Sequence, residues 1–226
     1  MFLTQFDVNT GRREAQRLLG SPERVHAAVL GCFPPDQSST DLGRTLWRLD
    51  RGTQRHDVRL MIASPLSPDM RALNAQAGWQ TGSPARTADY DPFLLGLRSG
   101  TVWRFRLTAN PTVSRRPAGE PRQRGQRVGH VTATQQLEWL VKRAERCGFA
   151  LAADSSGKPA VTVTRRDLLK FGRRTDGTGR TVTLSTATFD GTLEIRDADE
   201  LRHALTHGIG PAKGYGCGLL TLAPPR

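Results

Sequence analysis

The chain has 226 residues, 37% of them hydrophobic, with a formal net charge of +12 and a sequence pI near 11.0. That length suits one large domain or two small ones, and the charge favours a polyanionic partner, nucleic acid before membrane. No apolar run approaches the roughly 20 residues that span a bilayer; Cys32, Cys147 and Cys217 form no C-x-x-C pair, so neither a zinc site nor a disulfide framework is indicated and a reducing cytoplasm fits.

Residues 2–9 read as a first strand, and the N-terminus lacks the basic start of a signal peptide. Ser21-Pro22 marks a helix start, Ser at the cap and Pro at the first helical position. Val25, Ala28, Val29, Cys32 and Phe33 then recur at helical spacing until Pro34-Pro35 stops them. Residues 44–51 and 54–64 read as a hairpin pair turning at Gly52-Thr53, and a short helix fits between Pro68 and Ala77. Residues 79–99, rich in Pro, Gly and Ser, read mostly as loop. Residues 100–108 alternate apolar and polar as a half-buried strand. The resulting order, strand–helix–strand–strand–helix–strand, is the ferredoxin-like split βαβ arrangement.

Residues 113–127 carry Arg115, Arg116, Arg122, Arg124 and Arg127 against one acid, Glu120. They read as a basic inter-domain loop, extended to 113–130, between a domain at 1–112 and another at 131–226. Thr132 or Thr134 caps the next helix, with Leu137, Leu140, Val141 and Ala144 as its stripe and Gly148 at its end. Short strands at 149–153 and 160–165 precede a long hairpin over 167–196, whose tip gathers Lys170, Arg173, Arg174 and Arg180. A last helix at 197–207 leads to a glycine loop and a final strand. The fold class is therefore α+β, with two tandem ferredoxin-like units and antiparallel sheets.

The loop reads Gly208-Ile209-Gly210-Pro211-Ala212-Lys213-Gly214-Tyr215-Gly216-Cys217-Gly218, followed by an apolar run. Clustered glycines serve positive φ or close backbone approach, and successive free N–H groups would cradle an anion. A tight turn before the last strand is the plain alternative. The spacing is not that of a nucleotide P-loop.

Among five histidines, His26 sits on the first helix at the edge of its apolar stripe, half-buried yet able to reach a ligand. A boundary histidine with no chemical role is the other reading. His203 and His207, four apart on the last helix, lack the third ligand of an H-E-x-x-H site, and cations at a helix C-terminus are favoured by its dipole. Asp197, Asp199 and Glu200 stand at a helix start, where acids are expected. No carboxylate cluster suggests a metal-dependent nuclease. The arginine-rich loop and hairpin tip are the candidate nucleic-acid surfaces. With 6% aromatic residues, backbone and shape recognition of a duplex suits the chain better than stacking along a single strand.

The glycine-rich ending through Leu219-Leu220, together with Trp103-Arg104-Phe105-Arg106-Leu107-Thr108-Ala109-Asn110-Pro111, closely resembles the signature of the CRISPR-associated CasE family of type I-E systems. The Phe2-Leu3-Thr4 strand, the helix bearing His26 and Phe189-Asp190-Gly191-Thr192-Leu193 extend the resemblance over most of the chain. It implies two ferredoxin-like domains that bind the hairpin of a CRISPR repeat transcript and cut at the 3′ base of its stem. The reaction it implies uses no metal and no cofactor: the ribose 2′-OH attacks, leaving a 2′,3′-cyclic phosphate and a 5′-OH. The family's catalytic histidine matches His26.

Some members carry tyrosine three residues earlier and lysine five residues later, where this chain has Glu23 and Gly31. Glu23, Lys213 or a hairpin arginine are the alternatives for the second catalytic group. Lys170, Arg173 and Arg174 match the element set against the RNA stem, with Arg115, Arg116, Arg124, Arg127 and Lys213 as further RNA contacts. The glycines at 208, 210, 214, 216 and 218 are placed by the resemblance near the 5′ side or the domain interface. Other subunits of the Cascade complex are the implied protein partners. A non-cutting RNA-binding module and a structural ribonucleoprotein subunit are the competing readings.

Overall fold

The computed structural model describes residues 1–35, 39–41, 43–82, 85–115, 126–175 and 178–225. The first half runs β1 (Phe2–Asp7), α1 (Arg13–Leu19), α2 (Pro22–Leu30), β2 (Ser39–Thr40), β3 (Gly43–Arg44), β4 (Leu46–Arg51), β5 (Val58–Ser64), α3 (Arg71–Ala77) and β6 (Ala85–Asp89). Strands β4-β5-β1-β6 form a four-stranded antiparallel sheet in that order. This is the strand order of the split βαβ unit, with α1 and α2 in one crossover and α3 in the other.

The second half runs α4 (Asp91–Gly96), β7 (Val102–Ala109), β8 (Thr112–Arg115), β9 (Gln126–Gly129), α5 (Ala133–Ala144), β10 (Phe149–Leu151), β11 (Val161–Thr175), β12 (Thr178–Ile195), α6 (Ala198–His207) and β13 (Leu220–Ala223). Its sheet is ordered β13-β7-β12, with β10 and β11 pairing successive stretches of β12. The same topology thus occurs twice.

Several expectations are corrected. The strand at 102–109 does not close the first sheet; it opens the second, between β12 and β13. The fourth strand of the first sheet is β6, inside the stretch read as loop, so the sheets do not divide at residue 112. Strand β6 was hidden because it is an edge strand: only Ala85 is even partly covered, and Arg86 to Asp89 are exposed, so no alternation marks it. Helix α1 was missed because its seven residues bury only Ala15 and Leu18. In the stretch read as a basic loop, β8 and β9 pair as the base of a hairpin. The strand pieces expected at 160–165 and 167 onward are one strand, β11, with a register shift between Val163 and Arg165.

Of the two threonines offered as the cap of α5, Thr132 is the one used, and Asp197, read as the first helical residue, is instead the cap of α6. Thr132 accepts from the Gln135 amide in a capping box, and Asp197 accepts from the Asp199 and Glu200 amides. Ser21 occupies the cap of α2 without a side-chain bond, so Pro22 carries that start.

Each sheet has its own apolar core. Phe6, Val25, Val29, Trp47, Leu60 and Ile62 form the first; Phe105, Leu107, Leu140, Phe149, Phe189 and Leu205 belong to the second. Leu46, Ala63 and Leu219 join them. A buried cation reinforces the seam. Arg48, 2% exposed, donates through Nη1 to the carbonyls of Arg106 and Leu219, both at 2.9 Å. Its Nη2 reaches Thr221 Oγ1 at 2.9 Å, and Asp50 takes a bidentate pair at 2.7 and 2.9 Å. All five of its N–H donors are satisfied, the condition under which a buried guanidinium is tolerated.

Candidate active site

His26 lies on α2 between Val25, which is buried, and Ala27, which is exposed, so the ring is half-covered. Its Nδ1 accepts a hydrogen bond from Trp47 Nε1 on β4 at 3.3 Å. An indole N–H only donates; the neutral imidazole therefore carries its proton on Nε2. That atom faces the glycine loop: a Cβ placed on Gly214 would lie 3.2 Å from it. Burial, and then the charge of Arg44, push the His26 pKa below its ordinary value of 6.5.

The loop is folded upon itself. The Ile209 amide donates to Gly218 O, the Tyr215 amide to Ala212 O and the Gly218 amide to Thr108 O. These three N–H groups are committed within the protein. The loop seats a helical turn, Lys213–Tyr215, against α2. Gly216, at φ 81°, packs so closely on the Trp47 ring that a Cβ there would come within 2.6 Å of it. The loop thus buttresses the residue that holds His26.

Lys213 starts this turn, its stem beside Gly218. Burial, then Arg44, lower its pKa. Arg44, on β3, has a buried Nε with no hydrogen-bond partner among the described residues. Its neighbour Gly43 abuts Thr206 of α6. On α6 the rings of His203 and His207 stack at 4.0 Å, and His207 Nδ1 lies 2.9 Å from Thr206 Oγ1. The charge of Arg44 thus opposes an added positive charge on His26, on Lys213 and on His207 alike. Such a convergence favours an incoming anion.

Glu23, one turn before His26, makes no hydrogen bond or ion pair with it among the described residues; Trp47 fills that position. Lys170 is exposed on β11. Arg173 and Arg174 stand near the outer end of the β11–β12 hairpin, in register with Arg180 and Gly179. Arg115 pairs in register with Gln126, and Arg127 with Ser114. Arg116 and Arg124 lie outside the described residues. Trp47 and Arg44 carry no mark in the sequence, because the groups they act on are distant in the chain. Among the described residues no group of three His, Cys, Asp or Glu side chains is arranged to hold a metal, and no helix is long and apolar enough to cross a membrane.

Two ferredoxin-like units closing around a histidine, with cations beside it, define a class that the comparisons resolve. The profile of the family described as CRISPR associated protein matches residues 1–224. The chain is 30% identical over 228 residues to the CRISPR-associated endoribonuclease Cse3 of Thermus thermophilus, covering 99% of this chain and 100% of that protein. It is 30% identical over 133 residues to the CRISPR system Cascade subunit CasE of Escherichia coli, covering 57% and 61%. A solved structure of Cse3 bound to a 19-nucleotide RNA superposes with a TM-score of 0.82 at 28% identity, covering 99% and 100%. The chain belongs to this CRISPR-associated family, in its CasE branch.

Proposed function

We propose that the chain is an endoribonuclease that binds the stem-loop of a CRISPR repeat transcript, cuts at the 3′ base of the stem and stays on its product as a Cascade subunit. The observation that carries this reading is the approach of His26 Nε2 to Gly214 of the glycine loop, with the charge of Arg44 acting on the ring, in a chain alignable end to end with an endoribonuclease.

The nucleophile is the substrate's own 2′-OH. It attacks the adjacent phosphorus as the P–O5′ bond breaks, giving a 2′,3′-cyclic phosphate and a 5′-OH. The 2′-OH proton passes to solvent water, and the leaving O5′ takes a proton from His26 Nε2, the nitrogen that Trp47 leaves free: the imidazolium releases it and returns to the neutral ring. A positioned acid–base group contributes roughly 10²–10⁴-fold, and alignment of the 2′-OH supplies much of the remainder. Charge on the phosphorane oxygens is met by Lys213 and Arg44, which supply the cation that position 31 lacks. Lys170 and the arginines of the β11–β12 hairpin hold the stem backbone.

Purified protein incubated with a repeat hairpin in EDTA, with both new ends mapped, tests this. Cleavage to the stated ends, lost in His26→Ala while the hairpin still binds, is the expected result. An uncut hairpin, or cleavage that survives His26→Ala, overturns it.

A further inference from the structure

A cavity of about 360 Å³ opens between the two ferredoxin-like units, with Trp47, which holds His26, and Val25, the residue before His26, in its wall. Trp47 and Pro22 line one side, Phe171 and Tyr215 another. The last two rings lie 4.9 Å apart at 56°, with Tyr215 still partly exposed. The polar part includes the Thr108 and Thr188 hydroxyls, 2.9 Å from one another. Three cations, Arg51, Arg165 and Lys170, also line it. Asp167 is bound to Arg165 and acts on Arg51 from a distance, but burial and Arg165 outweigh it, so the cations exceed the acid; Lys170 has no ion-pair partner among the described residues.

The size lies at the small end of ligand pockets, about 300–1,000 Å³. An aromatic and aliphatic wall with a few hydroxyls suits a flat heterocycle that hydrogen-bonds at its edge, and unmatched cations suit the phosphates on either side of it. We infer that this cavity receives one unstacked nucleobase of the RNA, that of a nucleotide flanking the cut, against the ring of Tyr215. Trp47 sets the register: it walls the cavity and holds His26, so a base seated there places its own phosphodiester beside the imidazole. This inference rests on the ribonuclease reading for the identity of the RNA, not for the binding event.

The test uses repeat RNA made uncleavable by a 2′-deoxy nucleotide at the cut, with 2-aminopurine at each flanking position in turn. One position is expected to lose fluorescence on binding to wild type and to Tyr215→Phe, but not to Tyr215→Ala. Cleavable RNA made abasic at that position is expected to be cut about 5- to 150-fold more slowly by the wild-type protein, the scale of one base–aromatic stack. Tyr215→Ala should add little to that loss. The abasic series needs no variant protein, so it stands even where Tyr215→Ala fails to fold. Absence of any quenched position, or abasic and Tyr215→Ala losses that multiply, overturns the inference. Because the fluorescence is read on uncut RNA, failure of cleavage alone would leave this result intact.

Discussion

Trp47 and His26 are joined by a single hydrogen bond, 3.3 Å from indole nitrogen to Nδ1, and that bond selects the protonation state of the ring. In the imidazolium both ring nitrogens are donors, so Nδ1–H would oppose the indole N–H. Burial and Arg44 act in the same direction. The limb of the kcat/KM profile set by His26, which reports the free protein, therefore lies below pH 6.5. Trp47→Phe removes a donor that favours the neutral ring, so the folded-state pKa rises and the limb moves to higher pH. Arg44→Ala should move it the same way by removing a repelling charge. Single-turnover rates across the pH range check this, and a limb fixed in both variants would refute it.

Gly214 and Gly216 are two residues apart and have different reasons to be glycine. Gly214 does not have the left-handed φ of Gly216, so alanine is compatible with its backbone. Its added methyl would crowd His26 Nε2 at 3.2 Å. Gly214→Ala is expected to lower kcat by about 10-fold or more while costing about 1 kcal/mol or less of stability. Gly216→Ala meets both a positive φ and the Trp47 ring, and should cost at least about 1–3 kcal/mol. Urea melts beside cleavage rates separate the two; equal stability losses would contradict the assignment.

The parts of the fold that the chain declares locally were legible: the threonine cap of α5, the acids at the start of α6, the stripe of α2, and the alternation of β7. What it does not declare locally was not. Strand β6 is an exposed edge whose only signal is its pairing with β1. Strand β7 has the pattern of any half-buried strand, and nothing in that pattern names its sheet. His26 could be singled out by position and by resemblance, but its partner Trp47 is 21 residues away, and looks like an ordinary core aromatic until the helix is docked. Arg48 reads as the polar face of a strand and is instead the polar centre of a seam. A cation is buried there because three backbone and side-chain acceptors from the second unit converge on it, a fact of tertiary structure alone.

That seam gives a stability prediction. Arg48→Met keeps much of the side-chain volume but leaves Asp50, the carbonyls of Arg106 and Leu219, and Thr221 without their shared donor. Removing one partner of a buried, hydrogen-bonded ion pair costs about 3–5 kcal/mol. Denaturant unfolding should show a loss of that size. A loss below about 1 kcal/mol would mean that the two units are held by their apolar contacts and that Arg48 is incidental.

Lys170 is exposed on the hairpin strand, where a stem phosphate can reach it. If it makes one backbone contact, Lys170→Ala weakens binding to paired repeats of any sequence alike and shallows the log K against log salt slope by about one. Titrations of uncleavable hairpin at several salt concentrations measure this. An unchanged slope would place the RNA stem elsewhere.

Lys213 supplies the sharpest separation between binding and chemistry. Its stem packs beside Gly218, in the loop that faces His26, and the charge of Arg44 acts on its ammonium. Burial of that charge costs stability unless an anion arrives, and the phosphorane carries more negative charge on its oxygens than the diester it forms from. The benefit is therefore greatest in the transition state. Lys213→Met preserves the stem and removes the charge. It is expected to lower kcat by about 10²–10³-fold, the scale of one lost oxyanion partner, while affinity for uncleavable hairpin falls by less than about 10-fold. Lys213→Arg should recover part of the rate. If instead affinity falls as far as kcat, Lys213 is a ground-state phosphate contact, and the charge stabilisation belongs to Arg44 alone.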